Sequence, residues 1–77
     1  SSSQYDTLNE FLTSEKLNLT HLIIDENENN PKYILDVLKN GKKYPFLIKE
    51  FDSTEFDFNY IVKLYKIDYE KFNNPTN

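Results

Sequence analysis

Asn30-Pro31 opens and Asn40-Gly41 closes one stretch of helical periodicity, and that bracket limits how the rest of the chain can be arranged. Asn is a favoured N-cap, Pro is tolerated at the first helical position because its missing N–H has no partner there, and Gly commonly follows a helix end. Within the bracket, Tyr33 or Ile34 with Val37 and Leu38 form an apolar stripe, while Lys32, Asp36 and Lys39 face water. A helix of this kind needs a surface to cover. The segments on either side supply it in strand-forming residues.

Upstream, Thr20-His21-Leu22-Ile23-Ile24 is a β-branched, nearly continuous apolar run ending at Asp25, which predicts a central strand buried on both faces. Before it, Tyr5, Leu8, Phe11 and Leu12 share a helical face, and Ser3 with Asp6 reads as a capping pair, giving a first helix over 4–16. Leu17-Asn18-Leu19 breaks that pattern. Downstream, Phe46–Phe51 reads as a second strand, with one helical turn at Phe46-Leu47-Ile48 as the alternative. Residues 52–57 form a turn and Phe58–Ile67 a long third strand, the last two strands pairing as a hairpin. The order helix, strand, helix, strand, strand implies a right-handed crossover, parallel first and second strands, and a third antiparallel to the second. The expected fold is α/β (α+β), a small two-layer mixed sheet. It forms a single domain over 1–72 with a flexible tail over 73–77.

At 77 residues, a chain this short buries only about 60% of its unfolded surface, so a deep catalytic cleft is not expected. Six Phe and six Tyr make the expected core aromatic-rich. A net charge of −4 repels a phosphate backbone, which argues against nucleic acid as a partner. The absence of Cys excludes disulfides, thiolate metal sites and a cysteine nucleophile. No stretch approaches the roughly 20 apolar residues of a membrane span.

Four patterns carry candidate chemistry. Asp25, Asn27 and Asn29, followed by Asp36 at the twelfth position, have the oxygen spacing of a calcium loop. However, Asn30 and Pro31 occupy its sixth and seventh places, the twelfth is not Glu, and a strand leads in. The plainer reading is a solvated loop whose last Asn caps the helix. His21 and Asp25 share a strand face at the carboxyl end of a strand, where α/β folds place sites. Ser14, Thr20 and Ser53 are the hydroxyls that could join them; the plainer reading is a strand histidine hydrogen-bonded to a neighbour. Lys39, Lys42 and Lys43 with Tyr44 form the sole basic cluster, which could touch a membrane surface or an acidic partner, or simply solvate a helix end. Asp52, Glu55 and Asp57 read as turn residues rather than an acid/base pair. Asn18-Leu19-Thr20 is a glycosylation sequon, whereas Pro75 excludes the one at Asn74. No catalytic residue and no cofactor is expected.

The succession Leu19-Thr20-His21-Leu22-Ile23-Ile24-Asp25, Tyr44–Ser53 and Val62-Lys63-Leu64-Tyr65-Lys66-Ile67-Asp68-Tyr69 resembles the soluble tail domains of archaeal GT-C-class glycosyltransferase-like membrane proteins, the protein mannosyltransferase and oligosaccharyltransferase relatives. The likeness covers roughly residues 8–72 and lies in strand-forming residues rather than in chemistry. In that class the chemistry resides in acidic loops among the membrane spans, so the resemblance implies a non-catalytic accessory domain on the extracytoplasmic side, partnered by the membrane-embedded remainder. Absence of Met and the opening Ser1-Ser2-Ser3 give the same expectation of a piece cut from a longer chain, with the missing part N-terminal and membrane-embedded. The alternative is a free-standing or cytoplasmic α/β interaction module. The final strand, long and poor in charge, is expected to need cover, by the parent protein or by a second copy in an edge-strand homodimer.

Overall fold

The computed structural model describes residues 5–15 and 18–75. Three helices and a three-stranded sheet follow in the order α1 (Leu8–Glu15), β1 (His21–Asp25), α2 (Lys32–Lys39), β2 (Leu47–Asp52), β3 (Val62–Ile67) and α3 (Tyr69–Asn73). Short 3₁₀ turns occupy Gly41–Lys43 and Ser53–Glu55. The fold is a small α+β domain in the expected order, extended by α3. β1 and β2 run in the same direction, but β3 lies between them and is antiparallel to each, so every neighbouring pair in the sheet is antiparallel.

The sheet is thus antiparallel throughout rather than the mixed sheet expected, and the strand order corrects two further expectations. β1 is an edge strand whose residues alternate between buried and exposed; Leu22 and Ile24 are buried while Ile23 is 75% exposed. An unbroken apolar run therefore marks two unlike faces here, one covered by helices and one left open. β3, the strand expected to need cover, is paired on both sides, so any strand-to-strand dimer would run along β1 or β2. β3 also begins only at Val62, because Ser53 Oγ accepts the Val62 N–H and donates to the Tyr60 carbonyl, holding residues 53–62 as a closed loop. The β2–β3 hairpin forms as expected, with a bulge at Glu50 between Lys49 and Phe51.

Leu8 and Leu12 of α1, with Tyr33, Ile34, Val37 and Leu38 of α2, join Leu22, Ile24, Leu47, Tyr65 and Ile67 of the sheet in one core. The α1 cap is a Thr7/Glu10 box: the Glu10 N–H donates to Thr7 Oγ1 and the Thr7 N–H to Glu10 Oε1. The helix expected over 4–16 therefore begins only at Leu8, with residues 5–7 outside it. The expected Ser3 cap, residues 4 and 16, and the last two residues of the 73–77 tail lie outside the described residues. α2 keeps its bracket with one change: Pro31 holds the N-cap position without a side-chain bond, and Asn30 instead donates from Nδ2 to the carbonyl and Oδ1 of Asp25. With Pro31 at the cap, Asn30 stands one residue too early and closes the loop instead. α3 is an element the sequence did not announce; it closes the expected domain and ends at Asn73, the first residue of the expected tail. Asp68 accepts the Lys71 N–H, Phe72 meets Phe46 edge-on at 5.0 Å, and the Tyr69 hydroxyl donates to the Leu19 carbonyl at 2.6 Å.

Candidate functional site

The helices cover one face of the sheet and leave the other open. Strand alternation and register put His21, Ile23 and Asp25 of β1, Val62, Leu64 and Lys66 of β3, and Ile48 and Phe51 of β2 on the open face. From Phe51 the apolar surface continues along the 53–61 loop. Phe51 stacks on Phe56 with centroids 5.6 Å apart and planes at 13°; Phe56 meets Phe58 at 5.9 Å and Phe58 meets Tyr60 at 5.6 Å. Every large apolar side chain that is exposed among the described residues belongs to this surface: Ile23, Ile48, Phe51, Phe56, Phe58 and Tyr60.

The loop carrying the ladder is anchored at both ends. Asp52, only 5% exposed, accepts the N–H and hydroxyl of Thr54 through Oδ1 and faces Lys49 at 3.0 Å and Lys63 at 3.8 Å through Oδ2. Burial alone would raise its carboxyl, but the Thr54 hydroxyl, Lys49, the Thr54 N–H and Lys63 outweigh it and lower it to about 2. Ser53, fully buried, spends its hydroxyl on Tyr60 and Val62, and the Ile61 N–H donates to Glu26 Oε2. The aromatic rings are exposed on a held frame.

A second concave feature lies at the other side of the sheet, between the end of α2 and the inner faces of β2 and β3. Its volume is about 600 Å³. Lys39, Lys42 and Lys43, expected as a lone cluster, are joined there by Lys49 and Lys63. Asp36 is not simply solvated: it accepts from the Tyr44 hydroxyl, from Lys43 at 2.9 Å and from Asn40 at 2.8 Å. The Tyr44 hydroxyl foremost, then Lys43 and Asn40, hold the Asp36 carboxyl down at about 2; burial and then that carboxylate push Tyr44 up to about 12.

The remaining candidates are not brought together. Asp25 Oδ1 is engaged by the Asn27 N–H and by Asn30 Nδ2, Asn27 Oδ1 by the Asn29 N–H, and Asp36 belongs to its own network on α2. Among the described residues no three His, Asp or Glu side chains gather as a metal cage. His21 shares the open face with Asp25, yet its ring meets Thr20 Oγ1 at 2.8 Å and Glu50 Oε1 at 3.3 Å. It is a strand histidine bonded to neighbours. Ser14 donates to the Phe11 carbonyl. Asn18 of the sequon is exposed.

Sequence reasoning absorbed Phe58 and Tyr60 into a strand and Phe56 into a turn. Their alternation with Asp57 and Asn59 has the strand period and hides a loop whose rings pack on one another. Lys49, Lys63 and Tyr65 carried no local signal, since only the hairpin register brings them beside the end of α2. No helix among the described residues is long and apolar enough to cross a membrane. No protein-family model, curated protein or solved structure matches the chain.

Proposed function

We propose that this domain is a non-catalytic docking module that seats its open sheet face and aromatic ladder on a protein surface apolar at its centre and basic at its rim. The observation that carries this reading is the collection, among the described residues, of all the exposed large apolar side chains on one continuous surface. Scattered apolar residues are ordinary on a protein surface, whereas a contiguous patch marks an interaction site. Hydrogen bonds at Asp52, Ser53 and Glu26 already hold the loop in place, so less ordering has to accompany binding. Charge selects the partner. Asp25, Glu50 and Asp57 are exposed on or beside this surface, against Lys66 alone among its lysines. A second copy would bring acids against acids, while a basic rim complements them.

The resemblance of the strand sequences extends the proposal: the surface is the membrane-embedded remainder of a glycosyltransferase-like protein, met on the extracytoplasmic side. Two tests separate these levels. Benzoyl-phenylalanine placed at Phe58 in the full-length protein, in its own cell, should photo-crosslink to polypeptide. The same probe at exposed Asn9 on α1 should not. Equal crosslinking from both positions, or none from Phe58, overturns docking. If docking holds, the gene upstream of Ser1 should encode an apolar span of about 20 residues. A polar upstream sequence removes the membrane-protein extension and leaves the interaction module.

A further inference from the structure

The lysine-lined cavity between α2 and the hairpin lies on the opposite face of the sheet and plays no part in docking. In a chain of net charge −4, it gathers Lys39, Lys42, Lys43, Lys49 and Lys63 around one concavity. Three of these are already balanced: Lys43 by Asp36, Lys49 by Asp52 and Glu55, and Lys63 by the Leu38 carbonyl and Asp52. Among the described residues, Lys39 and Lys42 have no acidic partner. The cavity therefore carries positive charge that the protein itself does not neutralise.

An independent observation comes from Tyr65. This side chain is 4% exposed, packed in the core, and lines the cavity. Among the described residues nothing hydrogen-bonds its hydroxyl, and that oxygen is open to the cavity rather than sealed in the core. A buried tyrosine normally finds a partner for its hydroxyl. Gly41 preserves the opening, since a Cβ there would stand 2.7 Å from the Tyr65 oxygen. A donor thus points into a basic cavity without a protein acceptor.

The donor set selects the ligand. All nine basic residues of the chain are lysines, so the cavity has no guanidinium fork for a planar carboxylate. Compact ammonium charges spread around a concavity suit a tetrahedral oxyanion that offers several charged oxygens. The volume of about 600 Å³ exceeds one such group, and Leu47 and Pro45 give the cavity an apolar wall for the remainder of the molecule. We infer that this cavity binds a phosphate- or diphosphate-bearing ligand, with Lys39 and Lys42 supplying charge and the Tyr65 hydroxyl donating to a phosphate oxygen.

The ligand could be a free phosphorylated molecule or a lipid headgroup, and the test has an arm for each. Amide NMR spectra of the labelled domain are titrated with sodium pyrophosphate. In parallel, the domain is sedimented with phosphatidylcholine vesicles with and without phosphatidylglycerol. The variants are Lys39→Gln/Lys42→Gln and Tyr65→Phe, the latter removing only an oxygen without a protein partner, so its amide dispersion should match the parent. The expected result is saturable binding, with pyrophosphate shifts centred on Gly41, Lys42 and Tyr65, weakened about tenfold in each variant. Pyrophosphate binding assigns a soluble ligand; binding only to the anionic vesicles, lost in the same variants, assigns a headgroup. No saturable response in either arm, or a response unchanged in both variants, overturns the site.

Discussion

The two faces of this sheet are built from the same kinds of residue and behave oppositely. On the inner face, Leu22, Ile24, Leu47 and Ile67 are covered by α1 and α2. On the outer face, Ile23, Ile48 and Phe51 meet solvent. Composition does not separate them; coverage does. Hydrophobic burial stabilises the fold only where helices close over the strands, so the outer side chains contribute little to folding and are free to serve recognition. The polar groups divide in the same way. Asp52 on the inner side is nearly buried and holds the hairpin and its loop, whereas Asp25 and Glu50 outside are exposed.

Breaking this contrast begins with the core. Leu12→Ala, at a fully buried position of α1, should destabilise the domain by about 2–5 kcal/mol in urea melts. Next comes the hairpin anchor: Asp52→Ala removes the acceptor of Thr54, Lys49 and Lys63 and should cost roughly 1–3 kcal/mol. The Thr7→Ala change opens the capping box and should cost about 1 kcal/mol, read from the same melts. Smallest of all is the outer face. Ile23→Thr or Phe58→Ser should shift stability by no more than about 0.5 kcal/mol. A loss at Ile23 comparable to that at Leu12 would erase the distinction between the faces.

Acid and base sharpen it through the inner side. The Asp36 and Asp52 carboxyls lie near 2 in the folded chain against 3.8 for an ordinary one. Their stabilisation is therefore complete above about pH 4 and is lost as pH falls toward 2. Tyr44 stands at about 12 against 10, so its contribution is complete below pH 10 and is lost as pH rises through 12. In thermal melts, Asp52→Asn should flatten the acid limb and Tyr44→Phe the alkaline one. An unchanged acid limb in Asp52→Asn would remove the anchoring role given to that carboxylate.

The sequence was most legible where chemistry is local. Pro31 and Gly41 bounded α2 to within a residue, and the hairpin followed from two strand-forming runs separated by a turn. Boundaries set by distant partners were not legible. Ser53 ends the β2–β3 loop at Val62 through bonds that span the loop, so the alternating Phe56-Asp57-Phe58-Asn59-Tyr60 read on as strand. The apolar run of β1 reads as a central strand buried on both faces; the insertion of β3 between β1 and β2 makes it an edge strand, and helical cover on only one face of the sheet leaves Ile23 in solvent. α3 is five residues long, too short to show a period, although Asp68 signals its start. The Thr7/Glu10 box has the Thr-x-x-Glu spacing of a capping box and is local enough to be legible in the sequence. At the lysine cavity, Lys39, Lys42 and Lys43 stand close together in sequence, but Lys49, Lys63 and Tyr65 arrive only through the hairpin register.

Cysteine protection measures the function of the outer face most directly, because the domain has no cysteine of its own. Phe58→Cys and Ile23→Cys, each on the open face, and Asn9→Cys on α1 are labelled with a water-soluble maleimide, in the isolated domain and in the full-length protein in its native cell. A docked face predicts that all three react alike in the isolated domain, while in the native setting Phe58→Cys and Ile23→Cys slow about tenfold or more and Asn9→Cys does not. Equal labelling at all three positions in both settings would contradict docking through this face.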